Sequence, residues 1–302
     1  MKKIISSVIF TLLGISLMAQ APVSLKLNLV KGKVYTVKST SKQTMQISAN
    51  GQQIAIDISS KNVVSYKVLS QLNDVMDIEF KFDTIASKSS SPMGSKETNS
   101  AKPAGNDPLE KIMNKISQNT IIAKISTGGK FVDFVTYSKF KDNVMFVLDS
   151  IPAVKRDQAK TQAEGLLKES AVKSMIEPLF AYLPEKPVKV GDTWETSFIQ
   201  SANNMSMLCM NSFELKSIEN NVAAVSGKSE IESLPSNDPN AQMSQELKGN
   251  ITFDGMIDMA TGLRLKNSSK GHIEGTTTMK NNGNEMKMPV KLESESEVVM
   301  SK

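Results

Sequence analysis

Four residues with soft sulfur groups crowd into one short run: Met205, Met207, Cys209 and Met210. Thioethers and thiolates select soft ions such as Cu(I), and a spacing of two puts Met205, Met207 and Cys209 on one face of a strand. Met286-Lys287-Met288 repeats that spacing. The competing reading is packing, because methionine is unbranched and polarizable, fills irregular apolar gaps and lines surfaces that accept varied partners. With 18 methionines in the chain and no Cys/His cluster beside them, core filling and an apolar ligand face explain the sulfur better than copper does. No metal ligand and no cofactor is assigned.

The other reactive residue types are as sparse. Nucleophilic catalysis by Ser or Cys needs a base within hydrogen-bond reach, and the single histidine, His272, stands between Gly271 and Ile273 in an expected strand. No Gly-x-Ser-x-Gly elbow accompanies it. One Cys and one His far apart do not make a zinc site. The carboxylates Glu230/Glu232 and Glu293/Glu295/Glu297 recur at strand spacing on the polar parity and read as solvated charge. Trp194, the only tryptophan, reads as a core anchor, since a tryptophan buries a large area. A non-catalytic protein is expected.

The elements that would position these residues are mostly strands. Ile54, Ile56, Ile58, Val64, Tyr66 and Val68 share one parity, the period-2 pattern of a half-buried strand. Asn50-Gly51 tolerates positive φ and turns a long hairpin in front of it. A third strand is expected over residues 74–85, and residues 87–107, rich in Ser, Lys, Pro, Gly and Asn, carry too little apolar surface to order and are expected to form a flexible loop. Asp107-Pro108 is a helix start. The helical segment spans residues 108–183, interrupted by a hairpin turned at Gly128-Gly129, with its longest apolar stripe over residues 154–182, where Gly165 and Pro178 are expected to weaken or kink the helix. Strands return over residues 188–300. There Met286, Met288, Val290, Leu292, Val298 and Met300 share one parity against Lys287, Lys291, Glu293, Glu295 and Glu297. The order of features over residues 262–300 echoes that over residues 32–68, including a second turn at Asn282-Gly283.

The N-terminus carries Lys2 and Lys3 ahead of an apolar run over residues 4–18. A positive start, a run this short and Ala19 and Ala21 bracketing a cut are the marks of a secretory leader, read as residues 1–19. The only cysteine, Cys209, follows far downstream, so anchoring through an N-terminal cysteine is not expected, nor is an intramolecular disulfide. The mature chain, residues 20–302, is expected to be one soluble sheet-dominated domain without a transmembrane segment, periplasmic or extracellular. Hydrophobic residues at 39% and charged residues at 22% lie near globular norms rather than in the disordered regime. The formal charge of +5 includes the leader lysines and has no basic block behind it, which argues against nucleic acid as a partner.

Lys33-Val34-Tyr35, the turn over residues 187–195 and the pair Thr252-Phe253-Asp254 and Thr261-Gly262-Leu263 resemble a family of uncharacterised exported proteins of Bacteroidota, a domain of unknown function. That resemblance spans nearly the whole mature chain and implies a cell-envelope location. In layout alone, the chain is similar to curved-sheet carriers of envelope lipids such as the outer-membrane lipoprotein carrier. The fold expected is α+β: a strongly curved, mostly antiparallel sheet, with halves that echo each other, packed against a central helical segment. The function expected is binding of an apolar molecule such as a lipid on a face carrying Ile54, Ile56, Met205, Met207, Met286 and Met288. The alternative is a solid-cored structural protein of the envelope that meets another protein.

Overall fold

The computed structural model describes residues 21–49, 51–202, 205–235, 243–281 and 284–301. The expected leader, the Asn282-Gly283 turn and Asn50 of the first turn lie outside the described residues.

Strand makes up 60% and helix 18%, an α+β fold. The strands are β1 (Val34–Ala49), β2 (Gln52–Leu72), β3 (Val75–Ser91), β4 (Gly94–Asn99), β5 (Thr120–Ser126) and β6 (Phe131–Phe134), then β7 (Thr193–Ala202), β8 (Met205–Glu219), β9 (Val222–Ser233), β10 (Met243–Asp258), β11 (Arg264–Asn281) and β12 (Asn284–Ser301). The helices are α1 (Pro108–Ser117), α2 (Tyr137–Met145), α3 (Ala153–Leu166) and α4 (Glu169–Ile176). All pairings are antiparallel, in the order β6-β5-β3-β2-β1-β12-β11-β10-β9-β8-β7, with β4 on the flank of β3. Two-residue turns set the register. Ala49 faces Gln52 across a turn in which Gly51 has φ +77. Asn220 and Asn221, both at positive φ, close β8 onto β9, as the primed hairpin turns require.

The order places each half of the chain as a meander running outward from the central β1–β12 pair, so β6 and β7 become the two edges of one curled, unclosed sheet. The chain between β6 and β7 is helical, and it straps the open seam. Near one edge α2 packs on β5, and at the other α4 packs on β7, which puts the helices on the inside of the curl. The buried Ser174 hydroxyl on α4 donates to the Ile199 carbonyl at 3.1 Å and accepts from the Ser201 N–H at 2.7 Å. One side chain thereby satisfies two backbone groups that an edge strand leaves open.

Under the helices the core is filled. Tyr66 stacks on Tyr35 at 5.7 Å and meets Phe180 edge-on at 5.4 Å, while Phe80 lies 5.9 Å from Tyr66 and 6.1 Å from Phe180. Such ring pairs add to the area they bury. Burial also pushes the Tyr66 hydroxyl far above its ordinary pKa, and that of Tyr182 up to about 12. Trp194 is the core anchor expected of it: its indole N–H donates to the Tyr182 carbonyl at 3.0 Å and its ring stacks on Phe213 at 5.4 Å. The near end of the curl is closed by the extended segment before β1. Leu25, Leu27 and Leu29 turn inward, Leu27 N–H donates to the Thr127 carbonyl at 2.7 Å and Asn28 N–H to the Thr261 carbonyl at 2.9 Å. Gly262, at φ +70, leaves no room for a side chain, since a Cβ there would stand 2.1 Å from the Lys26 carbonyl oxygen.

Three expectations change. Residues 87–107 are not a flexible loop throughout: β3 continues to Ser91 and β4 folds back on it, Ala86 facing Asn99 and Ser91 facing Gly94. Apolar burial does not order this hairpin; backbone pairing does, because β2 extends to Gln52 and holds Ser87 to Ser90 in register on its other side. The helical stripe over residues 154–182 is not one helix. It breaks at Leu167 and Lys168, just after Gly165, and ends in a 3-10 turn at Glu177–Leu179. Of α3 only Ala159 and Ala163 are buried, so the segment is held chiefly by α4 and by Leu167 beside it. Finally, the helices cover only part of the strands' length. Asp107 does cap α1 as expected, accepting from the Leu109 and Glu110 N–H groups at 2.7 and 3.4 Å.

Candidate functional site

Strand periodicity carries one parity inward along the whole of each long strand. On β2 the inward set runs from Val68, Tyr66 and Val64 through Asn62 and Ser60 to Ile58, Ile56 and Ile54, each facing an inward residue of β1 or β3. Three zones result. The first is the helix-covered core. The second is a belt of small polar residues whose hydroxyls pair across strands: Ser41 with Ser60 at 2.8 Å, Ser269 with Ser296 at 2.7 Å, and Asn211 donating to Thr196 Oγ1 at 3.1 Å. These bonds satisfy groups that would otherwise face an apolar interior unpaired.

The third zone, beyond the belt, is mostly apolar, with Gln245 donating to the Thr277 hydroxyl on it at 3.2 Å, and α4 borders it along the β7 edge, at Ile199 and Ser201. Cys209, Ile231 and Ile273 form a second buried cluster, packed by Phe198, Met207, Leu247, Ile251 and Leu292. It spans β7 to β12. On β1 and β2 the face continues with Met45 opposite Ile56 and Ile47 opposite Ile54. Glycines let this wall curl: a Cβ on Gly249 would lie 2.8 Å from the Ile273 side chain and one on Gly271 2.7 Å from Ile251, and in the core a Cβ on Gly227 would lie 2.7 Å from the Phe253 ring. Each large side chain therefore lies over a cross-strand glycine, the arrangement that strand glycines often mark.

All six residues expected on the ligand face are here. Ile54 and Ile56 on β2, Met205 and Met207 on β8, and Met286 and Met288 on β12 share the inward parity of the third zone. They lie around its far end, and Met286 is exposed. The sequence reading missed Ile231, Ile251 and Ile273, which lie nearer the belt; the glycines inside the strands were the signal that could have found them. Seven methionines occupy this zone, with Met45, Met243 and Met279 joining Met205, Met207, Met286 and Met288. Cys209 sits in the buried cluster, and burial pushes its thiol up to about 11, so it is protonated and inert at neutral pH.

Two cavities lie away from the buried cluster of Cys209, Ile231 and Ile273. One of about 560 Å³ is lined by Ser59, Lys61, Lys88, Glu97, Glu295 and Glu297 among others. Another of about 680 Å³ lies where the seam elements Lys130, Phe131, Glu177 and Leu183 meet β7 and β8. His272 is on the outer face, its Nδ1 2.6 Å from Glu293 and its Nε2 3.5 Å from Glu274. That hydrogen bond to Glu293 raises its pKa.

A family model described as a family of unknown function, DUF6263, matches residues 73–264, from the β2–β3 turn through the whole helical strap to the start of β11. The chain belongs to the DUF6263 family. No curated protein matches this DUF6263 chain. Similar solved structures include lipovitellin, described in a study of lipid–protein interactions, at 12% identity and a TM-score of 0.47 over 91% of this chain and 26% of that one. The DUF6263 chain thus spans about a quarter of that lipovitellin chain. An outer membrane channel from Pseudomonas putida F1 matches at 9% identity and a TM-score of 0.26, over 91% of this chain and 97% of that one. A DUF1329 family protein from Desulfovibrio piger matches at 10% identity and a TM-score of 0.15, over 88% and 84% of the two chains. Among the described residues, no helix is long and apolar enough to cross a membrane.

Proposed function

We propose that this protein is exported to the cell envelope and binds, without catalysis, an apolar molecule such as a lipid on the open third zone of its concave face. The observation that carries the reading is a second inward-facing apolar zone, set apart from the filled core by a hydroxyl belt and bordered, among the described helices, by α4 along the β7 edge. An apolar face of this kind gains about 0.8 kcal/mol for each ligand CH₂ it takes from water. Methionines at its end suit a ligand of variable shape, and the belt offers hydroxyls to a carbonyl or hydroxyl on the same molecule. The leader read over residues 1–19 supports export to the periplasm or the exterior.

A second reading has an observation of its own. The helix-covered core is filled, as a structural protein's would be, and Met279 and Met286 are exposed, so the same zone could seat another envelope protein. Native mass spectrometry of the protein purified from its own host separates the two. The ligand reading expects a lipid-sized adduct that is lost in Ile56→Asp while circular dichroism stays unchanged. An adduct-free monomer, or a co-purified protein lost in the same variant, overturns it.

A further inference from the structure

The methionines of the far zone are not scattered. Met243 is paired with Met279 across β10 and β11, and Met279 with Met286 across β11 and β12. Three thioethers therefore stand in one row on one face, with Met288 two residues further along β12. Directly opposed residues of antiparallel strands hold their Cβ atoms about 4.5–5.5 Å apart. Methionine's three rotatable bonds let the two outer sulfurs reach an ion held above the middle one.

Burial does not account for the row. Met243 is 37% exposed, Met279 42% and Met286 40%, against 0% for Met76 in the helix-covered core; a methionine kept to fill a gap is covered. The polar neighbours on the same face, Gln245 and Thr277, bond each other at 3.2 Å. Lys280 and Glu285, the neighbours of Met279 and Met286, belong to the opposite parity and pair with each other at 3.4 Å. Among the described residues, no group of three or more His, Cys, Asp or Glu is placed to hold a metal. Uncharged thioether donors select a soft ion of low charge.

We propose that Met243, Met279 and Met286 form a thioether site for a soft monovalent cation, Cu(I) in the cell. The site shares the open zone with the apolar-ligand reading but uses the sulfur lone pairs rather than the apolar surface, and leucine removes only the donor. Cys209 lies elsewhere, in the buried cluster of β8, β9 and β11.

The test uses the full chain with Cys209→Ala, so that no thiol contributes, and Ag(I) as a redox-inert probe. Native mass spectrometry is expected to show one tightly held Ag(I) per chain, and the methyl carbon signals of Met243, Met279 and Met286 to shift. Met279→Leu should weaken Ag(I) by about tenfold or more, a loss that changes even outside the ligand set can cause. Because Met and Leu are close in volume, circular dichroism and urea unfolding should be unaffected by the same change. Cu(I), measured in competition with bicinchoninate, should follow the same order. Should Met279→Leu and Met286→Leu both hold Ag(I) as tightly as the parent, or the Ag(I)-dependent shifts fall on other methionines, the site is refuted. So is it if the parent holds no Ag(I) at all.

Discussion

The two apolar zones of the concave face use the same alternation and end in opposite states. On β2, Val64, Tyr66 and Val68 are buried under Phe180 and its neighbours, whereas Ile54, Ile56 and Ile58, at the same parity on the same strand, are only half covered. What differs is what stands opposite. The helical strap is anchored to β5 and β7, and the leucines before β1 close one end, so Ile54 to Ile58 lie beyond the described covering elements of β2 while α4 runs along the β7 edge. Apolar surface that the described elements leave open is where binding is expected; covered surface is where the stability lies.

The largest effect should separate the zones outright. Phe80→Ala, in the filled core, is expected to cost about 3–5 kcal/mol of stability, whereas Ile56→Ala, half-buried beyond the belt, should cost about 1 kcal/mol. Urea unfolding of both variants checks this, and equal losses would erase the distinction. Next, Gly262→Ala tests the closed end. A positive φ and the Lys26 carbonyl oxygen 2.1 Å from the new Cβ should cost about 2 kcal/mol. Hydrogen exchange should then quicken at Leu27 and Asn28 and not at Ile56.

The smallest effect lies on the outer face. The hydrogen bond to Glu293 raises the folded pKa of His272, so its contribution to stability is complete below the unfolded value of about 6.5 and is lost as pH rises through the folded value. An NMR titration should place the His272 midpoint above the ordinary one, and Glu293→Gln should bring it back. Because His272 is on the outer face, palmitate binding should not follow that titration; a shared midpoint would tie the outer face to the inner one.

Much of this was legible in the residues. The β1–β2 hairpin, the Asn220-Asn221 turn, the Asp107 cap and the inward parity of all six expected face residues follow from period-2 alternation and turn chemistry, which are local. Which stretch of β2 meets a helix is not local. Val64 to Val68 and Ile54 to Ile58 look alike in sequence, and only the register and the strap's attachment to β7 separate them. The hairpin of Ser87 to Asn99 was missed for a related reason: its order comes from backbone pairing with a neighbour that extends past the core, and composition carries no trace of that neighbour. The methionine row was invisible because Met243, Met279 and Met286 meet only across strands.

The most direct test of the two-zone account is a methyl carbon NMR titration of methionine-labelled protein with palmitate. The account predicts that the Met45, Met207 and Met288 signals of the open zone move in a saturable way, while Met76, buried in the helix-covered core, stays in place. Movement of Met76 with the open-zone signals unmoved would contradict it, putting the ligand under the helices and leaving the open zone without a role.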